Sequence, residues 1–226
     1  MTTTSVADPV ASPPQQIAVP GVLERLAPMP WWKRSIDIVA ASIGLVLLLP
    51  IFAVIALAIV IDSRGGPLYR QTRVGRGART FRCWKFRTMH VNADQALASL
   101  LEHNEANGHI FKMKDDPRVT RVGRLLRKTS LDELPQLWNV LRGNMSLVGP
   151  RPPLVSEVVR YEARELRRLT ATPGITGLWQ VTARDRHDFE DMVELDAEYA
   201  ERLGFWLDVR ILLKTIPTVL LGRGSC

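Results

Sequence analysis

Cysteine is scarce in this sequence: only Cys83 and Cys226 occur, far apart along the chain. A disulfide framework and a thiolate-rich metal site are thereby excluded, and a reducing compartment is the simplest setting. Histidine is sparse as well. His90, His103, His109 and His187 form no His-x-x-x-His pair and have no cysteine-rich neighbourhood, so the spacing of a zinc site is missing. No Asp-x-Asp motif stands ready to hold a nucleotide and its metal, and no P-loop is present. Helix-turn-helix and zinc-finger patterns are also lacking, which argues against nucleic acid as the partner. No internal repeat is visible.

What is present is apolar and basic. The 226 residues are 46% apolar, enough for one domain of roughly 150 to 200 residues plus an extra segment. Thirty basic side chains against twenty-three acidic ones give a formal charge of +7, which points to anionic partners. Residues 1–30 mix Thr, Ser, Ala, Gln and Pro without period and read as a tail without fixed structure.

From Ile38 to Ile61 the chain runs twenty-four residues without an ionisable group, about 36 Å as a straight helix. The run is too long and too far from the N-terminus for a signal peptide. Pro50 interrupts its middle, removing a helical hydrogen bond and leaving two halves of about 18 Å each, short of a hydrocarbon core. Both flanks are basic, with Lys33 and Arg34 before the run and Arg64, Arg70, Arg73 and Arg76 after it. The positive-inside tendency then favours both ends on one face, so residues 31–62 read as a re-entrant hairpin broken at Pro50. An ordinary span and a buried core helix are the alternatives.

Residues 63–222 read as a small α+β domain of short strands and several amphipathic helices. Between Ser63 and Val91 there are eight Lys or Arg and no Asp or Glu. In a strand, Lys85 and Arg87 would project to one side about 7 Å apart, a spacing suited to two phosphate oxygens. Resting on anionic headgroups is the plainer reading of the same residues. Residues 94–103 and 154–169 are expected as short amphipathic helices, the second with Arg160, Arg164, Arg167 and Arg168 on its polar side, and residues 188–202 as an acidic helix. After Gly204, Phe205, Trp206, Val209, Leu212, Leu213 and Ile216 share a helical face that suits either a membrane interface or the core.

The chemistry concentrates in Arg127-Lys128-Thr129-Ser130-Leu131-Asp132-Glu133-Leu134-Pro135-Gln136-Leu137-Trp138-Asn139. Ser130 and Glu133 have the spacing of a capping box, with Pro135 in the first turn. Asp132 and Glu133 would then lie at the positive end of a helix dipole, with lowered pKa values and both ionised at neutral pH. Acidic residues in a first turn commonly do no more than this. Here cations at Arg118, Arg121, Arg124, Arg127 and Lys128 precede the pair, and Gly149-Pro150-Arg151-Pro152-Pro153 follows, a rigid turn that would aim one arginine. Carboxylates among fixed cations suggest phosphoryl chemistry, in which a carboxylate attacks phosphorus and a divalent metal offsets repulsion between anions.

Lys85-Phe86-Arg87-Thr88-Met89, the run from Thr129 to Val140, Met145-Ser146-Leu147-Val148-Gly149-Pro150-Arg151-Pro152 and Pro173-Gly174-Ile175-Thr176-Gly177-Leu178-Trp179-Gln180-Val181 together resemble the bacterial sugar transferases, the monotopic phosphoglycosyl transferases. The late Leu195-Asp196 and Ile211-Leu212-Leu213-Lys214-Thr215 match too, so the likeness covers about residues 31–222. It implies a re-entrant helix in the bilayer of the bacterial inner membrane, with the catalytic domain on the cytoplasmic face. It also implies a ping-pong reaction with Mg²⁺, in which a UDP-sugar gives its sugar 1-phosphate to undecaprenyl phosphate and UMP leaves, an early step of exopolysaccharide or glycan assembly.

By that resemblance Asp132 is the nucleophile, and Glu133 assists through metal or proton handling, so both are the metal-ligand candidates. Arg127, Arg151 and Arg184 match basic positions that contact phosphate or nucleotide, to which strand geometry and motif position add Lys85 and Arg87. The Leu178-Trp179-Gln180-Val181 loop is more like that of members transferring glucose or galactose 1-phosphate. Three departures stand out: Leu49 where many relatives have Ser before the proline, Ala183 where Gly is common and Asn144 where an acid is common. A non-catalytic membrane scaffold of a polysaccharide complex is the competing function, and a homo-oligomer is left open.

Overall fold

The computed structural model describes residues 15–19, 21, 24, 26, 28–100, 113, 115–182 and 189–220. The apolar run folds as α1 (Trp31–Leu47) and α2 (Leu49–Asp62), bent by 60°. The break falls at Leu48, and Pro50 sits in the first turn of α2. There its fixed φ suits a helix start, while its missing N–H leaves α1 without a bond to continue through. Among the described residues no single helix is long and apolar enough to cross a membrane, but the bent pair together passes by length and composition.

The polarity of α1 is inverted. Lys33, Asp37 and Ala41, at spacings of four, form its buried stripe. The Lys33 ammonium donates to the Val148 carbonyl at 2.9 Å and pairs with the buried Asp208, and Asp37 Oδ1 accepts from Ser146 Oγ and the Leu147 amide. The outward side carries Val39, Val46 and Leu47 at 58%, 65% and 70% exposure, and α2 continues with Val54 and Leu57.

The rest is α+β. Strands β1 (Leu68–Val74) and β2 (Thr80–Phe86) form an antiparallel hairpin in which Tyr69 opposes Lys85, Gln71 opposes Cys83 and Arg73 opposes Phe81. Its turn places Gly77 at φ 66°, a left-handed conformation that glycine adopts without cost. Within the stretch read as a tail, residues 15–17 bond to this turn: the Thr80 amide donates to Gln15, and the Ile17 amide to Ala78. Helices α3 (Ala93–Leu100) and α4 (Arg121–Thr129) follow, then a 3-10 segment (Leu131–Gln136) that runs into α5 (Leu137–Leu141). Strand β3 (Ser146–Val148) pairs in parallel with β4 (Gly174–Thr176). A Cβ on Gly174 would sit 2.0 Å from the Gly149 amide nitrogen, so only glycine permits this approach of the two motif loops. Between the strands lie α6 (Val155–Val158) and a second 3-10 segment (Glu165–Thr170), and α7 (Leu178–Thr182), α8 (Phe189–Arg202) and α9 (Phe205–Leu220) complete the order.

Two local expectations are corrected. Ser130 precedes a 3-10 segment and not the start of an α-helix. It closes α4 in the left-handed region, φ 56°, and makes no side-chain cap, because a capping box needs extended geometry at that residue. Residues 154–169 do not form one helix either. They break into α6 and the second 3-10 segment, because Arg168 turns inward to the buried Asp196 while Arg164 and Arg167 reach Glu194 and Glu201 on α8. The last helix settles between its two readings with Ile211 in the core and Trp206, Leu213 and Ile216 exposed.

Asn139 docks the central motif on the hairpin. Its amide oxygen accepts from the Trp84 N–H at 3.0 Å and its amide nitrogen donates to the Arg82 carbonyl at 2.7 Å, so one side chain serves the free edge of β2 as a third strand would. Asn139 is 2% exposed. Asn139→Ala strands both backbone groups away from water and is expected to cost roughly 2–4 kcal/mol in urea unfolding, with little change in slope.

Candidate active site

The hairpin, the 3-10 segment and the two glycine-rich loops enclose a cavity of about 290 Å³, open to solvent, lined by Arg73, Cys83, Lys85, Glu133, Gln136 and Arg151, with Pro152, Gly174, Ile175 and Gln180 completing the wall. Strand alternation explains one wall: Phe81, Cys83 and Lys85 share a face of β2, leading from the core cluster of Phe81, Cys83, Leu137 and Val140 to the cavity. Opposite them, β1 brings Arg73 to the same face.

The cavity is electropositive. Arg73, Lys85 and Arg151 face one carboxylate, Glu133, which pairs with Lys85 at 2.6 Å. Burial, and then the neighbouring Arg151, work against the charge of Arg73, although its guanidinium is held by Gln71 and by the Pro152 carbonyl at 2.9 Å. Cations gathered against their mutual repulsion suit an anionic ligand. Cys83 contributes no thiolate, since burial raises its pKa.

Asp132 is buried beside this cavity, and its carboxyl does not line the wall. Burial raises its pKa to about 6, with Glu133 adding to the rise, while Lys85 and Arg127 act in the opposite direction. The expected lowering by a helix dipole is therefore overturned: the turn is a short 3-10 segment, and desolvation outweighs it. At neutral pH the group remains mostly ionised, yet its pKa lies far closer to 7 than that of a surface aspartate, as suits a basic nucleophile.

Lys85, Glu133 and Arg151 meet at the cavity, and Arg127 acts on Asp132 while its Nε donates to Thr88 Oγ1 at 3.0 Å. Arg87 is separate. It lies one residue beyond β2, and its guanidinium donates to the carbonyls of Ser63, Arg64, Gly65 and Gly66, so the expected pairing with Lys85 on one strand face does not form. It binds the exit of α2 to the hairpin instead. Arg184 falls outside the described residues. Arg73, Gln136 and Gln180 were not singled out from the sequence. For Arg73 a signal existed, because hairpin register sets it across from Phe81 on the Lys85 face.

The profile described as bacterial sugar transferase matches residues 29–222. The chain is 48% identical over 197 residues to the galactosyl transferase CpsE of Streptococcus agalactiae serotype III (strain NEM316), covering 85% of this chain and 43% of that protein. It is 41% identical over 197 residues to the exopolysaccharide production protein ExoY of Rhizobium meliloti (strain 1021), covering 85% and 87%. It is 42% identical over 198 residues to the UDP-glucose:undecaprenyl-phosphate glucose-1-phosphate transferase of Caulobacter vibrioides (strain ATCC 19089 / CIP 103742 / CB 15), covering 83% and 69%. The chain thus spans less than half of the galactosyl transferase and most of the exopolysaccharide protein. With the motif loops joined around one cationic cavity and the profile matched over nearly the whole described fold, the chain belongs to the bacterial sugar transferase family.

Proposed function

We propose that this chain transfers a sugar 1-phosphate, glucose or galactose, from a UDP-sugar to undecaprenyl phosphate by a ping-pong reaction through Asp132. The observation that carries the reading is the buried Asp132 carboxyl, with its pKa raised to about 6, beside a cavity whose cations outnumber its carboxylates by two. That excess matches the two negative charges of the donor's diphosphate. In the first half-reaction an Asp132 oxygen attacks the β-phosphorus. The bond from that phosphorus to the bridging oxygen breaks, and UMP leaves with the electron pair. In the second half-reaction an oxygen of undecaprenyl phosphate attacks the same phosphorus, breaking its bond to Asp132 and regenerating the carboxylate.

Lys85 stands between the two acids electrostatically, pairing with Glu133 and lowering the pKa of Asp132. A donor phosphate would compete with Glu133 for this ammonium, freeing Glu133 at the moment the site fills. Arg73 and Arg151 would hold the diphosphate, and Arg184 joins them on motif position. Asp132 and Glu133 offer two hard oxygen donors, the number Mg²⁺ commonly takes from protein when phosphates and water supply the rest. Among the described residues no group of three or more His, Cys, Asp or Glu gathers, so most ligands of such an ion would have to come from the diphosphate and water. When bound, Mg²⁺ supplies neutralisation of phosphate charge.

The bent pair α1 and α2 is assigned to the membrane as a re-entrant hairpin, with the catalytic domain on the cytoplasmic face of the bacterial inner membrane. Support comes from the inverted polarity of α1, whose charged side chains face protein while Val39, Val46 and Leu47 face outward. In water that arrangement would expose a large apolar patch. Single cysteines near residues 20 and 70, in a chain otherwise free of cysteine, are both expected to resist labelling from outside intact cells; labelling of only one would mean a crossing helix.

The test of function is UMP release from a panel of UDP-sugars by the purified chain in nanodiscs with Mg²⁺ and undecaprenyl phosphate. Release confined to UDP-glucose or UDP-galactose is the expected result. Folded protein that releases UMP from no sugar would leave a non-catalytic scaffold as the better reading.

A further inference from the structure

The turn at residues 149–153 is tied down at every carbonyl from 150 to 153. The Gly174 amide donates to Pro150, Arg168 Nη2 to Arg151 at 3.1 Å, Arg73 Nη1 to Pro152 and the Val74 amide to Pro153. Three of these four residues are prolines without an N–H, so Arg151 contributes the one backbone donor of the set. The Asp196 carboxylate lies near that donor, which works against the rise in its pKa that burial causes. The Arg151 carbonyl is therefore held by one member of an ion pair, Arg168 with Asp196, whose side chains are each 1% exposed. Tyr161 completes the arrangement by accepting from Arg168 Nη1 at 3.0 Å.

A pair buried this deeply contributes little net stability, because taking both charges out of water costs about as much as their attraction returns. One of its hydrogen bonds reaches the residue whose side chain lines the cationic cavity. We propose that Arg168 and Asp196 are positioning residues for Arg151, holding its backbone so that the guanidinium meets the diphosphate of the donor without first being ordered. This rests on the reading of the cavity as a donor site.

The experiment is a thermodynamic cycle. Arg168→Met with Asp196→Leu replaces the pair by apolar side chains of similar volume, a change that buried pairs tolerate. It is made in the wild-type and Arg151→Ala backgrounds, with Asp196→Asn as a second, smaller perturbation. Two quantities are read: kcat/KM for UMP release, and the affinity of the purified protein for inorganic pyrophosphate, which needs no chemistry. The expected result is a melting temperature within a few degrees of wild type and a loss of roughly 30-fold in both quantities. In the Arg151→Ala background the same change would cost less than about threefold, because interacting residues are non-additive. Losses that multiply in the combined variant would overturn the proposal, as would unaltered pyrophosphate affinity in the paired substitution. A wild-type protein that binds pyrophosphate but releases no UMP would sink the transferase reading, while the pyrophosphate cycle still decides the positioning role.

Discussion

Asp132→Asn is expected to lower UMP release by at least about 10³-fold and at the same time to make the protein more stable above neutral pH. Loss of activity follows because an amide cannot form the phosphosugar bond, and removal of a covalent nucleophile is seldom compensated. The gain in stability follows from linkage. The folded pKa of Asp132, about 6, lies above the ordinary 3.8, so the folded state binds its proton more tightly than the unfolded state does. Stability therefore falls as pH rises from about 4 to about 6 and stays lower above that window, by on the order of 2–3 kcal/mol for this group. Asn carries no charge to desolvate and escapes the penalty. Urea unfolding at pH 8, with mass spectrometry of the protein after incubation with the donor, checks both halves: the wild type alone acquires a sugar phosphate. An Asp132→Asn protein that keeps its activity would remove this residue from the chemistry.

Lys85→Met should lower kcat/KM at pH 8 by about 100-fold and move the acid limb of the pH profile upward. Lys85 contributes the largest of the effects that oppose the raised pKa of Asp132. In the wild type the limb is expected near 6, with activity falling about tenfold per pH unit below it, since kcat/KM follows ionisation of the free enzyme. Without the ammonium, Asp132 loses its nearby cation and Glu133 repels it unscreened, so the proton is held to higher pH. Asp196 also has a raised pKa of about 6, but burial, Arg168 and Arg151 set it, so a limb that responds to Lys85 belongs to Asp132. A limb that stays in place in Lys85→Met would assign it to another group.

The correspondence between sequence and structure is uneven for physical reasons. The break in the apolar run was legible because a proline acts on its own helix, and it appeared two residues upstream, at Leu48, because Pro50 fits the first turn that follows. The acidic helix expected over residues 188–202 is present as α8 (Phe189–Arg202). Ser130 and the stretch 154–169 were misread because their local patterns compete with tertiary pairings: Glu133 with Lys85, forty-eight residues away, and Arg168 with Asp196, twenty-eight away. Arg87 was misread by one residue of strand length, which sent its guanidinium to the exit of α2.

The chain by itself determined what short-range forces determine: two helices broken near a proline, a basic stretch with a short strand, the Asp132 and Glu133 pair, and an arginine held in a turn of prolines. Tertiary structure alone decided which charges meet and how deeply. Arg73, Lys85, Glu133 and Arg151 come from four separate segments, and their meeting depends on hairpin register, on Asn139 completing the edge of β2 and on two glycines in contact. The pKa of Asp132 was decided there too, because desolvation is a property of everything packed around a carboxyl and outweighs the sequence neighbours on either side of it.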